Sequence, residues 1–189
     1  MKKACLFAFL NLLFLSSFTQ RKIPCLIETT MGRIRIELYP EKAPVTVANF
    51  LNYVDAKLYN GTTFYRVCTP ENEMERTVKI QVIQGGDVAE GKQFEPVIME
   101  TTKETGIPHL NGTLSMARDK PNSATSSFFI CINNQPELDF AGKRNPDGQG
   151  FAAFGNVTKG MRVVRKIQAQ KEKDQYLIDP VKIISIRRL

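Results

Sequence analysis

The sequence predicts a mainly β protein, a closed antiparallel β-barrel capped by two α-helices. Three observations carry this expectation. Short runs of strand-forming residues recur along most of the chain. Just two segments show a helical period, and they stand at opposite ends of the order. No internal repeat or low-complexity tract interrupts the pattern. Many short strands with few helices are the mark of an all-β domain, and closure removes exposed strand edges.

Residues 32–38 alternate Arg33, Arg35 and Glu37 with Ile34, Ile36 and Leu38, as a half-buried strand does. The period then changes. Val47, Phe50, Leu51, Val54 and Leu58 form the apolar stripe of an amphipathic helix, and Pro44 suits its first turn. Asn60-Gly61 marks the turn after it. Strands are expected at 63–68, 78–84, 113–117, 127–132, 151–154 and 181–186. Residues 160–168 read as the second helix, with Met161, Val164 and Ile167 on one side. Residues 119–125 and 141–150 read as polar loops.

The first residues are laid out as a secretory signal peptide. Lys2 and Lys3 precede an apolar run from Ala4 to Phe18, and Ser17 and Thr19 suit a cleavage site after Thr19. That run is shorter than the ~20 residues of a spanning helix. An uncleaved N-terminal anchor is the other reading. The expected organisation is therefore a signal peptide at 1–19 and one domain at 20–189, large enough for a real core. Loss of Lys2 and Lys3 lowers the net charge from +7 to +5. The remaining basic residues are scattered, which argues against nucleic acid as a partner.

Three cysteines remain in the domain: Cys25, Cys68 and Cys131. None has the close spacing of a zinc or redox motif. Cys131 lies in an apolar run and reads as a buried thiol, whereas a Cys25–Cys68 disulfide is open in an oxidising compartment. The single histidine, His109, removes histidine-pair metal motifs and makes a Ser-His-Asp triad unattractive. It reads as a surface or structural residue in a Gly-Ile-Pro-His loop.

Taken singly, the polar residues near the strands are unremarkable. A lone strand arginine such as Arg66 is usually a surface residue, and Gln84 before Gly85-Gly86 could merely flank a turn. Their order changes the reading. The chain carries Gly32 to Leu38, Ala43-Pro44 with Asn49-Phe50, Phe64-Tyr65-Arg66, Gln84-Gly85-Gly86-Asp87, Ser115-Met116-Ala117, Ser126 to Ile130 and Phe154-Gly155-Asn156-Val157. This succession resembles the cyclophilin-type peptidyl-prolyl cis-trans isomerases over about residues 26–188. The resemblance implies a cyclophilin-like barrel that turns X–Pro bonds without a cofactor or metal. It implies that Arg66 acts on the substrate proline and that Gln84 holds both the substrate backbone and Arg66. Phe129 and Leu138 match walls of the proline pocket, Val82 an apolar pocket position, and Ala117 a contact to the substrate chain. Phe151 stands where many eukaryotic members have a pocket histidine.

Several departures accompany the match. Gln81 and Val82 replace an aromatic residue and a methionine, which should weaken packing on the proline ring. Residues 69–77 read as an inserted polar surface loop, with reach toward a substrate as the other option. Glu137 replaces the tryptophan that favours cyclosporin-like drugs, and Pro136-Glu137-Leu138-Asp139 is similar to bacterial members. The expected protein is thus an exported, monomeric isomerase, periplasmic in a Gram-negative cell, secreted or in the secretory pathway otherwise, and free of the membrane after cleavage. Its partners are proline-containing segments of folding proteins. Two rival classes are a catalytically weak proline-peptide binding module or chaperone, and a small-ligand barrel carrier. The carrier would need an open interior, against the large residues Ile34, Ile36 and Phe128 or Phe129.

Overall fold

The computed structural model describes residues 21–189, and the signal peptide expected at 1–19 lies outside them. The strands are β1 (Ile23–Thr29), β2 (Gly32–Leu38), β3 (Thr63–Cys68), β4 (Val82–Gly85), β5 (Thr113–Met116), β6 (Phe128–Cys131), β7 (Ala153–Lys159), β8 (Glu172–Lys173) and β9 (Tyr176–Arg188). Eight of them follow the order β1-β2-β7-β5-β6-β4-β3-β9, and β9 pairs back onto β1 to close an antiparallel barrel. β8 adds a short hairpin to β9.

The helices are α1 (Pro44–Asp55), the single turn α2 (Thr102–Thr105) and α3 (Met161–Gln168). α1 buries Val47, Phe50, Leu51 and Val54 of the stripe read from the sequence, whereas Leu58 lies in the turn after the helix ends at Asp55. Ala43 cannot cap this helix. The Glu100 carboxylate does so instead, accepting the N–H groups of Val45 and Thr46 at 3.1 and 2.8 Å. α3 buries Val164 and Ile167. α2 was not expected, although Thr101 and Glu104 have the spacing of a capping box and the Thr101 N–H donates to Glu104 at 2.7 Å.

Alternation along the strands divides the apolar residues into two clusters. Ile34, Ile36, Phe64, Phe128 and Phe154 pack in the buried core with Phe50 of α1, large apolar groups that argue against a carried ligand. Cys68, Ile80, Val82, Phe129, Cys131 and Leu138 form a second cluster. In β4 and β6 this cluster takes the residues that alternate with those facing the core, so it lies on the barrel's outer side.

Some strand boundaries differ from expectation. β1 was missed because Cys25-Leu26-Ile27 is an unbroken apolar run beside Pro24, with no clear period. The strand expected at 78–84 begins only at Val82. Residues before it are held by side chains: Val78 O accepts from Arg144 Nη1 at 2.6 Å, and the Ile80 N–H donates to Glu73 at 2.7 Å. β7 runs to Lys159 instead of ending at Phe154.

The loop at 69–77 is anchored rather than free. Glu73 is buried and forms an ion pair with Arg144, whose Nη1 also donates to Glu73 Oε2 at 2.9 Å. Asn72 Oδ1 accepts the Thr69 N–H at 2.8 Å, and its amide donates to Val67 O at 3.1 Å. The Cys25–Cys68 pairing is not made. Cys25, Cys68 and Cys131 are all free and buried, with Cys25 in the barrel core and the other two in the outer cluster.

Two outcomes follow for stability. Glu73→Ala leaves Arg144 unpaired in a site of low exposure and should destabilise the fold by about 3–5 kcal/mol in urea denaturation. Replacing Glu73 and Arg144 together by Met should recover only part of that loss, because the Ile80 N–H and the Val78 carbonyl still lose their side-chain partners. The second outcome concerns alkaline pH. Burial pushes the Cys25 and Cys68 thiols from 9.0 up to about 11, and Cys131 also upward. Between these values the folded chain holds protons that the unfolded chain releases. Their stabilisation is complete below the unfolded value and is lost as pH rises through the folded one. Urea midpoints should therefore fall between pH 9 and 11, and mass-mapped alkylation at neutral pH should spare all three thiols until unfolding.

Candidate active site

The site begins with an irregularity in β3. Phe64 pairs with Gly85 and Arg66 with Gln84, so Tyr65 is an extra residue against β4. Such a bulge re-aims side chains. Here Tyr65 and Arg66, consecutive in sequence, both line one outer cleft, while Phe64 and Val67 stay in the core. The glycines after Gln84 let the strands close up. A Cβ on Gly85 would lie 2.6 Å from Thr63 O. Gly86 has φ +80°, and a Cβ there would meet the Phe128 ring at 2.6 Å.

The cleft has a volume of about 540 Å3 and collects Arg66, Gln84, Val82, Ala117, Phe129, Leu138 and Phe151. All seven site residues expected from the sequence therefore come together. Phe129 and Phe151 meet edge to face with ring centres 5.3 Å apart. Leu138 is carried by a 3-10 turn at Pro136–Leu138, and its carbonyl accepts the Phe151 N–H at 3.0 Å. Each ring is backed by a polar residue. His109 is buried and stacks on Phe129 at 6.0 Å, with Nδ1 2.7 Å from Asp139 Oδ1 and Nε2 2.9 Å from Ser115 Oγ. The carboxylate can only accept, so Nδ1 carries the hydrogen. His109 is thus structural, and the surface alternative is corrected. Arg118 lies 5.2 Å from the Phe151 ring centre and makes a bidentate pair with Asp147 at 2.8 and 2.9 Å.

Arg66 is held by amide oxygens. Its Nη1 donates to Gln84 Oε1 at 2.9 Å and its Nε to Gln175 Oε1 at 3.0 Å. Gln84 Nε2 donates to the Tyr65 hydroxyl at 2.7 Å, and that hydroxyl lies 3.4 Å from Ser127 Oγ. Burial raises the Tyr65 hydroxyl above its ordinary range, which keeps it a neutral partner at neutral pH. Among the described residues no carboxylate lies within ion-pair distance of Arg66. The result is an uncompensated, fixed guanidinium beside an apolar pocket. Such a group can stabilise electron density at a neutral atom brought to the pocket, and it needs no nucleophile.

Two sequence expectations change here. Gln81 is not a pocket residue: it lies on the other face of its segment, and its side-chain oxygen accepts from Asn133 at 3.2 Å. Ile80, two residues before Val82, lines the cleft in its place. Glu137 also stands aside, accepting the Lys143 N–H at 2.8 Å. Tyr65, Ile80, Arg118 and Gln175 were not singled out. The period-2 spacing of Ile80, Val82 and Gln84 could have identified Ile80. Nothing local marks Gln175, which is 109 residues from Arg66.

Comparison with known proteins agrees with this geometry. Residues 25–188 match the family described as cyclophilin type peptidyl-prolyl cis-trans isomerase/CLD. A peptidyl-prolyl cis-trans isomerase of Acinetobacter baylyi is 38% identical over 172 residues, covering 85% of this chain and 82% of the relative. Peptidyl-prolyl cis-trans isomerase A of Dickeya dadantii is 37% identical over 183 residues, covering 91% and 88%. Among solved structures, a cyclophilin type isomerase of Cryptosporidium parvum superposes with a TM-score of 0.68 at 23% identity, covering 89% of this chain and 98% of that one. The barrel, the ordered strand motifs and the sustained identity lead to one assignment: the chain belongs to the cyclophilin family and is a peptidyl-prolyl cis-trans isomerase.

Proposed function

We propose that X–Pro bonds turn over in the outer cleft, with Arg66 and Gln84 as the catalytic pair. The observation that carries this reading is the guanidinium of Arg66, fixed by amides at the mouth of an apolar pocket. Rotation of a prolyl amide crosses a barrier of ~18–20 kcal/mol because the C–N bond has double-bond character. As resonance is lost, the nitrogen lone pair localises, and Arg66 donates a hydrogen bond to it. Gln84 orients Arg66 and holds the substrate backbone. Phe129, Leu138, Val82 and Phe151 grip the proline ring and exclude water, and Ala117 leaves room for the substrate chain. A charge-assisted hydrogen bond supplies ~1.5–3 kcal/mol, whereas a thousandfold acceleration needs about 4. The apolar grip therefore shares the work.

The ligand class follows the same chemistry: proline-containing segments of unfolded or folding proteins, bound by a monomer. The Cryptosporidium parvum structural relative was also solved in the presence of the dipeptide Ala-Pro, which supports a prolyl peptide as the occupant. The basic and apolar run at residues 2–18 supports export, with cleavage after Thr19 and a bacterial setting in the periplasm. There the domain works free of the membrane.

Arg66→Ala should lower kcat/KM on a proline peptide roughly ten- to a hundredfold. Wild-type turnover in that variant would remove Arg66 from the mechanism. N-terminal sequencing of the chain recovered from an envelope fraction should begin at Gln20, and recovery of a Met1-initiated chain from the cytosol would overturn export.

A further inference from the structure

We propose that Gln175, in the turn between β8 and β9, is a positioning residue that aims Arg66 while leaving its charge uncompensated. The proposal rests on Arg66 being the catalytic arginine. Gln175 Oε1 faces donors on every side: Arg66 Nε at 3.0 Å, Arg66 Nη2, and Cys68 Sγ at 3.6 Å. Its Nε2 faces acceptors, Asn72 O and Glu73 Oε1, each at 3.4 Å. The amide can therefore sit only one way round. Gln84 takes Nη1, and Gln175 takes Nε and Nη2, so the two glutamines hold the guanidinium from both sides.

The backbone beneath Gln175 points to the same role. Lys173 pairs with Tyr176, leaving Asp174-Gln175 as a two-residue hairpin loop. Both loop residues have positive φ, 53° and 74°. The second position of such a turn favours glycine, and a glutamine there is held in a strained conformation. The strain is borne by local bonds: the Gln175 N–H donates to Glu172 Oε2 at 2.5 Å, and its carbonyl accepts the Val67 N–H at 2.8 Å. A residue unfavourable for the turn thus carries the side chain that reaches Arg66. It also links Arg66 to the anchored 69–77 loop through Asn72 and Glu73.

An amide suits the task better than an acid. A glutamate at 175 could reach the same guanidinium atoms but would neutralise the charge presented to the prolyl nitrogen.

The test compares Gln175→Gly, Gln175→Glu and Arg66→Ala with wild type. The readouts are kcat and KM on a proline peptide, thermal midpoint, and the Arg66 Nε–Hε NMR resonance, assigned by its loss in Arg66→Ala. Gln175→Gly should lower kcat about tenfold with KM within about twofold. Its thermal midpoint should hold or rise, because glycine relaxes the turn. The Hε resonance should move toward that of a free guanidinium and lose protection from exchange. Gln175→Glu should keep a protected resonance yet also lower kcat. An unchanged Hε resonance in Gln175→Gly overturns the proposal whatever the activity. Full-rate Gln175→Gly beside a slow Arg66→Ala overturns it while leaving the role of Arg66 intact. Wild-type turnover in Arg66→Ala removes the reading beneath it, and the proposal falls with that reading.

Discussion

A guanidinium must be fixed without being neutralised, and much of the structure around the cleft serves that constraint. A carboxylate would fix Arg66 more tightly but would cancel the field it directs at the pocket. Two glutamine oxygens fix it and leave the charge. One comes from the neighbouring strand, set by the Arg66–Gln84 register. The other comes from the β8–β9 turn, brought alongside because β9 pairs with β3 as well as β1. Barrel closure is thus more than an answer to exposed edges. It places the far end of the chain against the strand that carries Arg66.

The same short strands build the core and the pocket back to back. Ile83 and Ile130 point into the barrel, while Val82 and Phe129 point out of it. A pocket wall cannot shift without moving a core residue next to it in sequence, and packed interiors resist such movement. The small side chain of Val82 is therefore complemented from elsewhere. Ile80, just before the strand, and Phe151, across the cleft, supply apolar surface from outside the ladder. The pocket is thus lined partly from the strands that bear Arg66 and Gln84 and partly from segments that side-chain bonds hold beside them.

The fold was legible where hydrophobic period decides structure. The alternation in β2 and the stripe of α1 are direct records of which face is buried. Arg66, Val82, Gln84 and Phe129 were legible because they sit on strands whose neighbours are set by the barrel, whereas Leu138, in a 3-10 turn, and Phe151, before β7, were reached through the resemblance alone. The rest depends on contacts that leave no local trace. The bulge at Tyr65 arises from a ladder between strands, and strict alternation would have put Tyr65 and Arg66 on opposite faces. The 69–77 loop looked like a polar excursion because Glu73 is charged, and its burial depends on Arg144, 71 residues away. For Gln81 the misreading had a remedy in the sequence, since Ile80, Val82 and Gln84 share the spacing of one strand face.

Charge bookkeeping around the cleft separates two kinds of arginine. Arg118 and Arg144 are both clamped by carboxylates, Asp147 and Glu73, and each spends its charge on holding a wall in place. Arg118 backs the Phe151 ring, and Arg144 secures the chain that presents Ile80. Arg66 and Arg76 also line the cleft, and neither has a carboxylate within ion-pair distance among the described residues. Arg76 is exposed, so water and salt screen it. Arg66 is half-buried against apolar surface, where screening is weaker and a fixed charge acts more strongly. Of the four arginines, the position of Arg66 alone combines a charge without an ion-pair partner, a fixed direction and reduced screening, the three properties on which its proposed role rests.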